Sequence, residues 1–455
     1  MPLAEDAFRP GADPARLREV QDAALRATVG RLAASHPFYR ELWAEQGVDP
    51  LAVRGIDDLP LLPLTTKTMF TAAPERFRLE PDGSPERQLW DIAYTSGSTS
   101  APAPIYQSAY DFHAILAAQV RMAEIRGMRG DDRIANLYPL TPQPHGAWTR
   151  TNHAAAVLGA TVVCGMSGTS PWFGVTRRLG EVADLLVATR PTVLWGVPSY
   201  VRRVVDEVVR RGGALPDVRM LAISGEATTP AMAAQLAGLL AAAGAPDVVI
   251  SNSLGASELQ YGLVECVPGA GFHNPVPELL HLDAVDDGGR PVPPGTPGAF
   301  TMTHLDRHGT VLVRYLLGDR VEVDHGPCPH CGRLGGRVVA HHGRSGRSLK
   351  IKGQLVDTTV LETTVAGVPG VVDHRAVVRR SDPADPLSGD ALVVQVALAP
   401  AAGQAVTEHV AAAVKLATRV TPTVEVTTAD VLFPPDERMK PRRFVDERQH
   451  QETPA

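Results

Sequence analysis

The sequence predicts an α/β fold: a large N-terminal α/β domain with an appended β region, followed by a small C-terminal α+β domain. Three observations carry that reading. Between Asp91 and Gly255, short apolar runs alternate with amphipathic stretches, as in strand–helix units around a largely parallel sheet. From Gly298 to Asp324 the pattern turns to strand after strand. Finally, 455 residues exceed what one hydrophobic core holds, since single cores seldom grow beyond roughly 250–300 residues.

The elements follow in chain order. Leu17, Val20, Ala24, Leu25 and Val29 fall near helical spacing, so about Pro14 to Trp43 carries a helical pattern. Leu89, Trp90, Ile92 and Ala93 read as a strand emptying into Tyr94-Thr95-Ser96-Gly97-Ser98-Thr99-Ser100-Ala101-Pro102. Backbone N–H and hydroxyl groups in such a loop can converge on an anion, with polyphosphate the obvious candidate. It is not a Walker A loop, because no Gly-Lys-Ser/Thr follows at the required spacing. The same composition also suits a plain surface turn. Ala160–Cys164, Thr192–Val197, Met220–Ile223 and Val248–Ile250 read as buried strands. Helices are expected over Tyr200 to Arg211 and over Pro230 to Ala243, the latter with Thr229 as N-cap and proline first.

Leu254-Gly255-Ala256-Ser257-Glu258 follows a strand and is expected to set a carboxylate at a loop tip, where it could hold Mg²⁺ on phosphate oxygens. Arg314-Tyr315-Leu316-Leu317-Gly318-Asp319 is expected to end a strand with an aspartate able to accept from both ribose hydroxyls. His342-Gly-Arg-Ser-Gly-Arg347 reads as a linker, which divides the chain into domains 1–343 and 344–455. Beyond it, Val371–Arg379 and Ala391–Leu398 read as strands, Val406, Val410, Val414 and Ala417 mark a helix, and Val424–Val426 a further strand.

Composition narrows the function classes. A net charge of −6 gives no electrostatic case for nucleic acid or an anionic membrane. Met1-Pro2-Leu3-Ala4-Glu5-Asp6 lacks the pattern of a signal peptide, and no apolar run approaches the roughly 20 residues of a membrane span. A cytoplasmic protein is expected. Lysine is confined to Lys67, Lys350, Lys352, Lys415 and Lys440.

Three of the four cysteines belong to one pattern: Cys266, then His273, then Cys328-Pro329-His330-Cys331. A Cys-x2-Cys knuckle with one more Cys and a His is the ligand set of a closed tetrahedral zinc site. His330 competes with His273 as the imidazole ligand, and free reduced thiols or a redox pair are the alternatives. Cys164, in an apolar strand, reads as core packing.

The Thr95 loop, Ser224-Gly225-Glu226, the Glu258 segment, Arg314–Asp319, Gly343-Arg344 and Met439-Lys440-Pro441 occur in an order and at separations that resemble adenylate-forming ligases, most closely the phenylacetate–CoA ligase family. His36–Arg40, Leu62–Lys67, Leu158–Thr161 and Gly196–Tyr200 extend the likeness over nearly the whole chain. The resemblance implies a mobile C-terminal domain. It implies that Thr95, Ser96, Gly97, Ser98 and Thr99 wrap the β- and γ-phosphates of ATP, that Gly225 and Glu226 border the adenine, and that Glu258 binds Mg²⁺. Asp319 would hold the ribose with Arg344 close by. Lys440 would swing in to neutralise charge on the carboxylate and α-phosphate, as attack of one anion on another requires. Tyr138, His145, Trp148, Asn152 and His153 lie in the segment that resembles the acyl-binding region, and core packing explains Trp148 equally well. Relatives carrying Cys and His at similar places favour structural zinc, and family habit suggests a homodimer.

The implied activity is ATP-dependent conversion of a carboxylic, aryl-type acid to an acyl-adenylate and then to a coenzyme A thioester. Three departures stand out: Ser100-Ala101 for the family's Gly-Lys, Leu254 for an aromatic residue, and Gly346-Arg347 for two acidic residues at the hinge. They bear most on the second half-reaction. Two rival expectations therefore stand: an adenylating enzyme with another acceptor (an amine, a carrier-protein thiol or an unusual acid), and a zinc-stabilised nucleotide binder without catalysis.

Overall fold

The computed structural model describes residues 5–79, 83–85, 88–95, 102–140, 146–167, 176–226, 228, 230–344, 348–382, 388–399, 402–433 and 442–448. Eleven strands form one continuous sheet. Its first half is parallel and runs, in spatial order, Thr161–Cys164, Arg133–Asn136, Val193–Gly196, Met220–Ser224 and Val249–Gly255. The antiparallel half continues through Gly262–Val264, Phe272–His273, Arg337–Arg344, Tyr315–Asp324, Gly298–His304 and Leu280–Val285. The β region expected from the sequence is therefore an extension of the same sheet.

Burial explains the parallel half. Val193, Leu194, Leu221, Ala222 and Ile223 are fully buried, as strands covered on both faces must be. The helix Pro198–Arg210 covers one face with Val201, Val204, Val205 and Val208, spaced to form a single apolar stripe. Each such buried side chain contributes about 1.5–3 kcal/mol relative to exposure.

The amino-terminal helical stretch is made of two helices, Pro14–Ser35 and Pro37–Glu45. Pro37 bars its predecessor from helical geometry, and His36 is extended at φ −91°, ψ 119°. Its Nδ1 then caps the second helix by accepting from the Tyr39 N–H at 3.3 Å. Burial pushes His36 down to about 4, which leaves that nitrogen free to accept.

Helix Ala109–Arg126 is fastened at its start to the antiparallel half. The buried Asp111 carboxylate accepts from Ser108 N at 2.9 Å, His308 N at 2.9 Å and Gly309 N at 2.7 Å.

The C-terminal residues build a separate hydrophobic core, with Leu361, Val378, Val394, Val410 and Val414 inside it. Its sheet orders Thr423–Thr427, Asp390–Leu398, Val371–Arg380 and Phe444–Asp446, packed by helices Thr358–Ala366 and Gln404–Thr418. The hairpin of Ser348–Ile351 and Gln354–Asp357 and the strand Phe444–Asp446 had no sequence signal. The expected linker begins later than its composition suggests, because His342, Gly343 and Arg344 close the strand Arg337–Arg344. Gly346 and Arg347 lie outside the described residues, as do Ser100 and Ala101. Among the described residues, no helix is long and apolar enough to cross a membrane.

A Cβ at Gly309 would fall on the Tyr106 carbonyl oxygen and 2.7 Å from Asp111 Oδ2. Gly309→Ala is therefore expected to cost about 1–3 kcal/mol, read as a lowered thermal midpoint.

Candidate active site

Parallel strands deliver their following loops to one edge, and in open α/β sheets ligands bind outside those carboxyl ends. Here that edge gathers Asn136 and Tyr138, Ser199, Ser224 to Glu226, and the turn holding Glu258. The Tyr138 hydroxyl and Ser224 Oγ share a hydrogen bond. Gly225 turns the chain off its strand at φ +90°, a conformation side chains resist. The Glu226 carboxylate accepts from Ser199 Oγ at 2.6 Å.

Glu258 lies in the turn after Val249–Gly255, as expected, but is not exposed there. It is buried, because the turn folds back to bury Leu259, and its Oε1 accepts from the Tyr315 hydroxyl at 3.1 Å. Asp319 does not end its strand either. Tyr315–Asp324 runs on because Val321 and Val323 keep facing the core while Arg320, Glu322 and Asp324 alternate with them. Asp319 pairs in register with Arg344 on the neighbouring strand. Its Oδ1 lies 3.2 Å from His341 Nε2 and 3.5 Å from Arg344 Nε. Glu258 with Tyr315 and Asp319 with Arg344 thus form two pairs, and the strand Tyr315–Asp324 carries one member of each.

Thr95 closes the base of a hairpin between Leu89–Tyr94 and Pro104–Ser108. Its N–H donates to the Ala103 carbonyl at 3.0 Å, and its Oγ1 accepts from Ala103 N at 2.9 Å. Ser96, Gly97, Ser98 and Thr99 lie outside the described residues, as do His145 and Lys440.

The residues expected to line an acid pocket are divided. Asn136 Nδ2 donates to the Trp148 carbonyl at 2.9 Å and to Asn152 Oδ1 at 3.0 Å, which fastens helix Gly146–Leu158 to the sheet. Asn152 Oδ1 also lies 3.4 Å from the half-buried Cys164 Sγ. Tyr138 turns toward Ser224, whereas His153 lines a cavity of about 300 Å³ with Trp90, Ile92 and Arg150. Burial, reinforced by the Arg150 charge, lowers the His153 pKa and favours a neutral ring. Arg150 was not singled out by sequence. It is buried, and its Nη2 donates to Asp91 Oδ2 at 2.7 Å and to Gln260 Oε1 at 2.8 Å. It thereby joins the hairpin bearing Thr95 to the turn bearing Glu258. Its partners lie 59 and 110 residues away, beyond any local sequence signal.

The Cys266, His273, Cys328 and Cys331 donor atoms all lie within 4.8 Å of one another. Cys266 Sγ and Cys328 Sγ are 3.9 Å apart, and Cys331 Sγ is 3.6 Å from His273 Nε2. Zn–S bonds of about 2.3 Å in a tetrahedron put two sulfurs about 3.8 Å apart, so the set fits such an ion. His330 is exposed and outside the cluster. Burial, then the charges of Cys331 and Cys328, push the Cys266 thiol up to about 12. Burial, then Arg337, hold His273 down at about 4, as a neutral ligand needs.

Comparison with known proteins gives a consistent picture. Residues 21–303 match the family model described as AMP-binding enzyme. Phenylacetate-coenzyme A ligase of Thermus thermophilus is 28% identical over 384 residues, covering 81% of this chain and 79% of that one. A 2-hydroxyisobutyryl-CoA ligase in its postadenylation state aligns at TM-score 0.79 with 20% identity, covering 99% of this chain and 94% of that one. In its thioesterification state that ligase aligns at 0.62 with 20% identity, covering 100% and 97%. At this identity the likeness establishes a shared fold.

Arg150→Met strands the Asp91 carboxylate and the Gln260 amide together. The expected loss is about 2–4 kcal/mol, read by thermal unfolding, with Asp91→Asn milder because Asp91 keeps 25% of its side chain exposed.

Proposed function

The chain belongs to the AMP-binding enzyme family, and from that premise we propose that it is an acid–thiol ligase that activates an aryl-type carboxylic acid with ATP and passes it to coenzyme A. In the first step a carboxylate oxygen attacks the α-phosphorus of ATP. The bond to pyrophosphate breaks, leaving an acyl-adenylate. In the second, the thiol sulfur attacks the acyl carbon, AMP departs, and the thiol proton passes to solvent. The observation that carries the reading is the gathering of Ser224, Gly225, Glu226 and the turn holding Glu258 at the carboxyl ends of the parallel strands, with the Tyr315 hydroxyl donating to Glu258.

In this reading Asp319 grips the ribose, Arg344 steadies Asp319, and Gly225 and Glu226 border the adenine. Thr95 to Thr99 wrap the outer phosphates. Tyr315 orients Glu258, which would hold Mg²⁺, an ion that neutralises phosphate charge when bound. Lys440 meets the charge developing between carboxylate and α-phosphate. The unit that follows the strand Arg337–Arg344 is the domain that moves between the two steps, since one face must serve two different partners. Tyr138 and Trp148, together with the phenylacetate-named relative, support an aryl acid over a small aliphatic one. Cys266, His273, Cys328 and Cys331 hold structural zinc. With all four positions taken by protein, that ion fastens loops and leaves the chemistry to the other site.

Incubation with ATP, Mg²⁺ and a panel of aryl and alkyl acids is expected to yield the AMP conjugate by mass spectrometry, with conversion to a thioester once coenzyme A is added. Turnover to a non-thioester product without any thiol would overturn the acceptor. Elemental analysis is expected to find one zinc per chain, lost in Cys331→Ser along with several degrees of thermal stability. A fully stable, metal-free preparation would remove the zinc assignment.

A further inference from the structure

A line of alternating charge crosses the seam between the two hydrophobic cores. Arg443 Nη1 lies 3.6 Å from Glu226 Oε2, and Arg443 Nη2 donates to Asp373 Oδ1 at 3.3 Å. Arg202 Nη2 donates to Asp373 Oδ2 at 3.1 Å. Glu226 and Arg202 belong to the large unit, Asp373 and Arg443 to the small one. All four are well covered: their side chains are 9%, 8%, 5% and 13% exposed in that order. Arg443 also sits 6.0 Å from the ring centroid of Phe433.

Stability alone does not account for such a line. Desolvating two carboxylates and two guanidiniums offsets most of their attraction, and an apolar seam of the same shape would hold as well. What buried charge supplies is register, because each partner is satisfied in one relative placement. Glu226 follows Gly225 at the carboxyl edge of the sheet, so the small unit is docked on the segment assigned to the adenine.

We propose that Arg443 is a positioning residue: held by Asp373 within the small unit and docking on Glu226 across the seam, it fixes the small unit in the pose that serves acid adenylation, and the line parts when coenzyme A is used. This rests on the adenylating reading of the site. It adds that the nucleotide segment itself senses the pose, through Glu226. Loss of Arg443 leaves Ser199 on Glu226 and Arg202 on Asp373, so neither carboxylate is stranded and the fold survives.

The test separates the two half-reactions in the full chain. Arg443→Gln is expected to lower acid-dependent ATP–pyrophosphate exchange about 10- to 100-fold, while thioester formation from supplied acyl-adenylate changes less than about threefold. Arg443→Lys, a point charge in place of a fork, is expected to recover part of the exchange. Small-angle scattering of Arg443→Gln is expected to show a larger radius of gyration than the parent. Should that variant be unstable, Arg202→Gln breaks the line at its other end and carries the same expectation. Equal loss in both half-reactions, or no loss in either, overturns the positioning role. A parent enzyme silent in exchange with every acid overturns the adenylating reading, and this inference with it.

Discussion

Five neighbouring strands that point the same way impose the constraint on which the rest depends. Four of them are followed by a loop at the same edge and a helix that returns across a face, and Val249–Gly255 by a turn into an antiparallel strand, so polar side chains far apart in sequence reach one rim. Asn136, Ser199, Ser224, Glu226 and Glu258 are brought together that way, without any of them needing a neighbour in sequence. The antiparallel half adds Tyr315, which reaches across to Glu258, while Asp319 further along the same strand pairs with Arg344 on the next.

Buried polar groups at that rim are held by partners from other elements. Glu258 has Tyr315, Glu226 has Ser199 and Arg443, and Arg150 has Asp91 and Gln260. Buried charge without a partner would expel itself or neutralise, so these contacts are a condition of having ionised groups so little exposed. They also fix side-chain direction, which is what a site must have before a substrate arrives.

The sequence made the apolar strands legible because Val193–Gly196 and Met220–Ser224 are continuous hydrophobic runs of fixed length. Arg133–Asn136, Gly262–Val264 and Phe444–Asp446 are three or four residues long and take their geometry from neighbours, so no local pattern announces them. The sequence reading ends a strand at Asp319. Gly318 does adopt φ +85°, yet the ladder resumes after it with an irregular register. The break at His36-Pro37 was written in the proline and needed only its local rule. The Cys and His cluster was legible from spacing, whereas the line from Glu226 to Arg202 was not, because ion pairs between units leave no periodic trace.

The Cys/His cluster sits at the closed end of the hairpin whose arms are Tyr315–Asp324 and Arg337–Arg344. Cys328 and Cys331 lie in its turn, and His273 pairs with Arg337 on its second arm. Asp319 and Arg344 face each other at the opposite, open end. A hairpin unzips from whichever end is looser, so a zinc ion held at the turn, as proposed, would protect the half nearer itself and leave the Asp319–Arg344 end to other contacts. On that proposal, stripping the metal would act first on how long the molecule survives and only later on how well it grips a nucleotide.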